Sequence, residues 1–362
     1  MPSVASNSSC NAAAAIGCSD TSVPYGALLL RELTGPADGA PIEPSSDVLD
    51  AIRALAAPLG VDPLPLLTER AEIWSYGRNG RISCGGATRL MRAAHDEWIA
   101  LSLTRSDDED LVPAWIGCEP DWPSIERTVA TRSAAEVVDR GRLLGLPIAT
   151  LGERHAGPPW TSTRVGDAPP LDREPVVVDL SSLWAGPLCT RSLHERGARV
   201  IKVESTTRPD GARRGPAAFF EVMHRGKGFV ALDFKSGALT DLLRTADVVV
   251  EGSRPRALEQ LGIDARALLE HGPRVWLSIT GHGRDEPQRN WVGFGDDAAV
   301  AGGLVAHTDD GTPCFLGDAI ADPLTGIAGA AAVLDALKAG GRWLIDCNLA
   351  GVAAHVSSYA GQ

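Results

Sequence analysis

The sequence predicts an α/β protein in which a doubly wound, Rossmann-like parallel sheet forms the larger domain and a smaller α+β region precedes it. Three observations carry this reading. Beyond residue 175, short Val/Ile/Leu runs alternate with helix-like segments, as buried parallel strands alternate with crossover helices. Residues 46–155 are helix-rich and carry a single clear strand pattern. Between them, residues 156–174 are rich in Pro and Gly and lack periodicity, the composition of a linker.

Each element has its own signal. Residues 1–45 begin with Ser, Asn and Ala and are expected to be a partly flexible N-terminal segment. "SSDVLDAIRALAAPLG" opens with capping residues and spaces Val48, Leu49, Ile52 and Leu55 as one helix face. "EWIALSL" reads as a strand, and "SAAEVVDRGRLLGLP" as a helix closed by Gly145 and Pro147. After the linker, strands "PVVVDL", "ARVIKVE", "GFVALDF", "DVVVEG" and "RVWLSITG" are separated by helices "AGPLCTRSLHERG", "GALTDLLRTA" and "RALEQLGIDARALLEHG". "GALLLRELTGPADGAPIEP" echoes "GGLVAHTDDGTPCFLGD", a similarity open to common origin or to chance between two turn-bearing segments.

Composition narrows the function. At 362 residues the chain can bury two ordinary cores, and 44% hydrophobic with 22% charged residues is a globular balance. A net charge of −12 argues against nucleic acid as partner, because binding phosphate backbones takes a basic surface. The sequence has no apolar run long enough to span a membrane and no signal-peptide pattern, so a cytoplasmic location is expected. Seven scattered cysteines without a C-x-x-C pair read as reduced thiols, and no His/Cys cluster has zinc spacing, so no metal is expected.

The first βα turn, "DLSSLWAGPLCT", is not G-x-G-x-x-G, which speaks against NAD or FAD; Glu204, at the end of the next strand, therefore carries little weight as a ribose ligand. Arg213, Arg214, Arg225, Lys227 and Lys235 form a basic run, and Arg254 and Arg256 follow another strand on the same rim of the sheet. One such run is ordinarily a solvated loop; two on one rim favour a polyphosphate ligand. "GDAIADPLTG" holds Asp318 and Asp322 where a loop becomes a helix, and either could cap that helix or act as a nucleophile.

These motifs, "VVVDLSSLWAGPLCT", "HRGKGFVALDFK", "VVVEGSRPRALEQLGI", "VWLSITGHG", "GFGDDAAVAGGL" and "ADPLTG", resemble in order those of the class III (CaiB/BaiF) CoA-transferases. The likeness runs from about Val176 to the C-terminus. It implies a CoA-binding α/β domain over 175–362, a smaller α+β domain, and an interlocked homodimer or a paralogous partner. It also implies an acyl-CoA and a carboxylic acid acceptor as substrates, with no cofactor beyond CoA itself. It assigns Asp322 as the nucleophile and leaves Asp318 as a turn residue. It places CoA against Ala185, Arg225, Lys227, Leu232, Lys235, Gly252, Ser253 and Arg254. The helix start is expected to keep Asp322 ionised.

The departures refine the expectation. Gly252-Ser253 stands where the family has Asn-Phe, and Trp184 where formyl-CoA transferases have Gln, so the acyl pocket is expected to be more apolar or more occluded. Phe294 occupies the racemase histidine position, which disfavours racemase or isomerase activity, and Asp296 falls near an acidic residue that lines some transferase sites. A non-catalytic acyl-CoA-binding paralogue is the reading from another class. Text resembling the small domain, "GGATRLMRAAHDEWIALSL", precedes the CoA-binding half, so the order is permuted or partly duplicated and the interlocked topology is in question.

Overall fold

Valine-rich strands flanked by helices on both faces organise the chain into an α/β architecture, and the computed structural model describes residues 25–360. The large sheet takes strands β4 (Thr161–Gly166), β5 (Val176–Asp179), β6 (Arg199–Ser205), β7 (Gly228–Leu232), β8 (Val248–Glu251), β9 (Val275–Thr280) and β12 (Arg342–Asn348). Their order is β4-β12-β9-β8-β5-β6-β7, parallel throughout except for the antiparallel edge strand β4. From β5 the chain moves outward to β6 and β7, then crosses back to β8 on the other side. The switch point thus lies between β5 and β8, where open α/β sheets bind ligands at the strands' carboxyl ends.

The smaller sheet is antiparallel, with β1 (Thr88–Arg92), β2 (Trp98–Ser102) and β3 (Ile148–Thr150), and β10 (Val305–His307) pairs with β11 (Pro313–Phe315) as a hairpin. Met91, Ile99, Leu101, Trp115, Val137 and Ile148 bury together as a separate small core. The division expected at residue 46 is not where packing changes. Leu30, Ile52, Leu64 and Leu67 are buried in the main core with Ile327, Val333 and Leu277, so the helices Tyr25–Glu32, Ser46–Ala56 and Leu64–Trp74 belong physically to the large sheet's core.

Two expectations need correction. The linker is partly a strand: β4 pairs with β12, Ile345 opposite Ser162. Its side chains are mostly exposed, so backbone pairing rather than an apolar pattern makes it a strand. "RALEQLGIDARALLEHG" is two helices, Pro255–Glu259 and Ala265–His271, because Gly262 turns left-handed at φ 75° and Asp264 caps the second with its side chain. The echoing segments differ in form: the first begins as the Tyr25–Glu32 helix, the second as the β10–β11 hairpin. Residues 1–24, with most of the segment expected to be flexible and with Cys10 and Cys18, lie outside the described residues; the five cysteines within them are unpaired. Among the described residues no helix is long and apolar enough to cross a membrane.

Candidate active site

The nucleophile candidate sits at the start of the Ala321–Ala339 helix. Asp322 is its second residue and not its cap, because the N-cap is Ile320, whose backbone is already helical. The Asp322 carboxylate is partly buried and accepts the backbone N–H of Gly295, the first residue of the Gly295–Ala301 helix. Gly295 is required there: a Cβ would lie 2.7 Å from Asp322 Oδ2 and 2.3 Å from the Ala319 carbonyl oxygen.

Two further carboxylates complete a cluster. Asp296 is buried and accepts the Ala319 N–H at 2.9 Å; Asp318 is fully buried and binds Arg70 through both oxygens, Nε to Oδ2 at 2.7 Å and Nη2 to Oδ1 at 2.6 Å. The Arg70 guanidinium carbon lies 5.2 Å from the Trp184 ring centre, 5.7 Å from Tyr76 and 6.0 Å from Trp74, within cation–π reach of all three. Burial raises Asp322 to about 7 against the pull of Arg70, with Asp296 and Asp318 adding repulsion. Asp296 rises to about 6, through burial and Asp318. The expectation that the helix start keeps Asp322 ionised is therefore qualified: desolvation and two like charges offset the N–H groups and Arg70, so the carboxyl is balanced between its two forms near neutral pH.

The first βα turn explains Trp184. Asp179, at the end of β5, accepts the Ser181 N–H at 3.0 Å and the Thr190 hydroxyl at 2.6 Å. Gly186 lets the following helix, Ala185–His194, approach this turn, since a Cβ would meet Ser181 at 2.1 Å. Leu183 takes φ 70° and its N–H bonds Asp210 Oδ1 at 3.0 Å, which delivers the buried indole of Trp184 beside Arg70. The Trp184 Nε1–H is buried with no acceptor among the described residues.

The remaining sequence-predicted residues fall into three groups. Gly252 follows β8 at the switch point, where a Cβ would lie 3.5 Å from Ser181 Cβ; Ser253 donates its hydroxyl to Glu251 at 2.9 Å, and Arg254 is exposed beside them. Burial, then Arg256, Arg105 and Arg208, hold the Arg254 guanidinium below its ordinary value, so four arginines from three segments share one electropositive region. Arg208, Arg254 and Arg256 have no acidic partner among the described residues. Leu232, partly buried, ends β7, and Arg225 and Lys235 are exposed near that edge. Ala185 is buried at the first position of its helix, its carbonyl oxygen 2.6 Å from where a Cβ on Gly326 would sit. Phe294 is partly buried and caps the Gly295–Ala301 helix.

Lys227 is not available to a ligand. Its ammonium is fully buried, 3.1 Å from Asp179 Oδ2, 2.7 Å from the Thr190 hydroxyl and 3.0 Å from the Pro187 carbonyl. Its task is to neutralise the carboxylate beneath the turn. The basic run also loses Arg213, which pairs with Glu204 at 2.7 Å, and that bond accounts for Glu204 without a ribose. Sequence reasoning missed Arg70 and Asp210; Asp318, read as a turn residue, is the buried partner of an arginine 248 positions away.

The profile of CoA-transferase family III matches residues 174–361, the whole large sheet apart from β4. The chain belongs to CoA-transferase family III. Over 188 residues it is 34% identical to an acyl-CoA transferase of Fusarium pseudograminearum, covering 46% of this chain and 41% of that protein. It is 33% identical over 181 residues to the succinate–glutarate CoA-transferase of Agrobacterium fabrum, covering 44% and 45%. A CaiB/BaiF family protein from Brucella suis, 30% identical, matches 52% of this chain and 56% of its own with a TM-score of 0.47. The chain spans less than half the length of the curated relatives it matches. Arg70, Tyr76 and Thr88 lie outside the family III match, so the region that contacts the carboxylate cluster from the N-terminal side is not part of it.

Proposed function

We propose that this chain moves CoA between carboxylic acids, with Asp322 as the covalent nucleophile. The observation that carries the reading is the setting of that carboxylate: partly exposed, bound to a backbone N–H, balanced near neutrality, and faced by the cationic guanidinium of Arg70, which itself lies over Trp184. Membership of a CoA-transferase family and the named activities of its relatives support it. So does the rim of unpaired arginines beside the switch point, which suits the phosphates of CoA. β7 lies three strands from β8, about 14 Å at the usual strand spacing. An extended ligand could therefore reach from Lys235 across the rim to the arginines.

The steps balance without a cofactor. The Asp322 carboxylate attacks the thioester carbon, the C–S bond breaks, and CoA leaves as thiolate, giving a mixed anhydride. The thiolate attacks the aspartyl carbonyl and expels the donor acid as carboxylate, leaving a β-aspartyl-CoA thioester. The acceptor carboxylate attacks that thioester, and the released thiolate then takes the acceptor acyl group and frees Asp322. Covalent catalysis divides one difficult exchange into easier ones, and the Gly295 N–H stands where the carboxylate's charge returns.

Incubation with succinyl-CoA and other acyl-CoAs, trapping with hydroxylamine or borohydride, and peptide mass spectrometry test this. The expected result is a single modification at Asp322, absent in Asp322→Asn. Measurable CoA binding with no adduct at Asp322 would refute the transferase reading and leave a binding protein.

A further inference from the structure

The turn that presents Asp322 is gripped by residues outside the matched family region. Gly317 and Ala319 both adopt left-handed backbone, φ 68° and 44°, a conformation that Ala avoids unless its surroundings impose it. Three contacts from the N-terminal region impose it: Thr34 Oγ1 accepts the Gly317 N–H at 3.1 Å, Cys84 Sγ lies 3.4 Å from the Gly317 carbonyl, and Arg70 forks onto Asp318. Asp296 holds the Ala319 N–H from the opposite side, and the Ala319 carbonyl then accepts the Asp322 N–H at 2.9 Å. Asp318 therefore lies one turn from the nucleophile along a rigid path.

Charge gives Arg70 a second part. The groups facing Asp322 are Asp296 from the Gly295–Ala301 helix, Asp318 from the turn, and Arg70 from the Leu64–Trp74 helix; Tyr76 and Cys84 face Arg70 and Asp318 from the next loop. Arg70 is the cation set against all three carboxylates. We propose that Arg70 is a positioning residue for Asp322: through Asp318 it fixes the left-handed turn that carries the nucleophile, and its charge keeps that carboxylate competent among two others. The N-terminal region thus completes the site within the same chain. This rests on Asp322 being the nucleophile.

The test uses the full chain, with folding of each variant checked by circular dichroism and thermal midpoint. The Asp322 carboxyl is titrated by 13C NMR, assigned with Asp322→Asn, and the trapping rate with succinyl-CoA is measured across pH. Arg70→Met is expected to move the Asp322 midpoint up by about 1–2 units and slow trapping at pH 7 about tenfold or more. Asp318→Asn is expected to move the midpoint down, by removing a like charge, while still slowing trapping because the turn loses its anchor. Arg70→Lys is expected to restore the midpoint but not the rate, because an ammonium cannot make the fork. Opposite midpoint shifts with the same loss of rate separate this role from a merely structural one. A folded Arg70→Met protein with unchanged midpoint and rate overturns the proposal, and if it does not fold, Asp318→Asn and Arg70→Lys decide by the same readouts. If wild type forms no adduct yet its midpoint answers to these variants, the transferase reading fails and the electrostatic link to Arg70 stands.

Discussion

At the scale of single residues, the site is a competition between burial and one guanidinium. Asp322 ordinarily would ionise at 3.8 and is pushed to about 7. A nucleophilic carboxylate works only when ionised, so the trapping rate with acyl-CoA is expected to rise through pH 7 and level above it. The same shift has a stability consequence. Between 3.8 and about 7 the folded protein holds a proton that the unfolded chain has lost, so stability falls as pH rises through that window. Asp322→Asn is therefore expected to abolish the adduct while raising the thermal midpoint at pH 8 by roughly 2–4 °C, with little change at pH 4; a variant equally stabilised at both pH values would contradict this. Asp322 could be singled out as a candidate because its motif is local, a carboxylate before a small-residue helix. Arg70 was not: "LLTERAEIWSYG" reads as an ordinary amphipathic helix, and its partner Asp318 is remote in sequence.

At the scale of elements, the turn after β5 and the loop after β8 face each other across the switch point but depend on opposite kinds of cation. Lys227 is buried under the first, against Asp179; Arg254 is exposed on the second with other arginines around it. Lys227→Met strands a buried carboxylate and is expected to destabilise the fold by about 3–5 kcal/mol, seen as a large fall in thermal midpoint. Arg254→Ala is expected to leave that midpoint unchanged and to raise KM for acyl-CoA, with a weaker salt dependence. Equal loss of stability in both variants would reject the division. The same contrast shows what sequence could reveal of the fold. β5, β8 and β9 were readable because strands buried on both faces are mostly apolar along their length. β4 was unreadable because an edge strand is held by backbone bonds to β12 and leaves polar side chains in water. Lys227 was misassigned because a basic residue in a basic run gives no sign that its ammonium turns inward.

At the scale of the whole molecule, two buried networks pull pH dependence in opposite directions. Under the sheet's first turn, Lys227 and Lys202 pair with Asp179 and Asp210 and help hold both carboxyls well below their ordinary value despite burial. That stability is present above about pH 4 and is lost as pH falls through the depressed values. Where the small sheet meets the Gly295–Ala301 helix, Thr88 and Ser102 link Asp296 and Asp297, with Ser102 Oγ donating to Asp297 Oδ1 at 2.6 Å and sharing a 2.9 Å bond with Thr88. There burial raises Asp296 to about 6 and Asp297 to about 7, and among the described residues no cation pairs with Asp297. For these groups the folded state keeps protons the unfolded chain releases, so stability falls as pH climbs from about 4 to 7. The sum predicts a thermal midpoint highest in mildly acidic solution, declining toward pH 8 and also below pH 4. Asp297→Asn isolates the second network, because its amide oxygen can still accept from Ser102 and from the Phe294 N–H that Asp297 binds at 3.1 Å. This variant is expected to reduce the decline between pH 5 and pH 8, with the share of Asp322 and Asp296 remaining, while leaving the acid limb, set by Asp179 and Asp210, unchanged. Thermal midpoints measured across that range for both proteins decide it: an Asp297→Asn curve parallel to wild type above pH 5 would mean that the junction between the small sheet and the Gly295–Ala301 helix has no part in the alkaline loss.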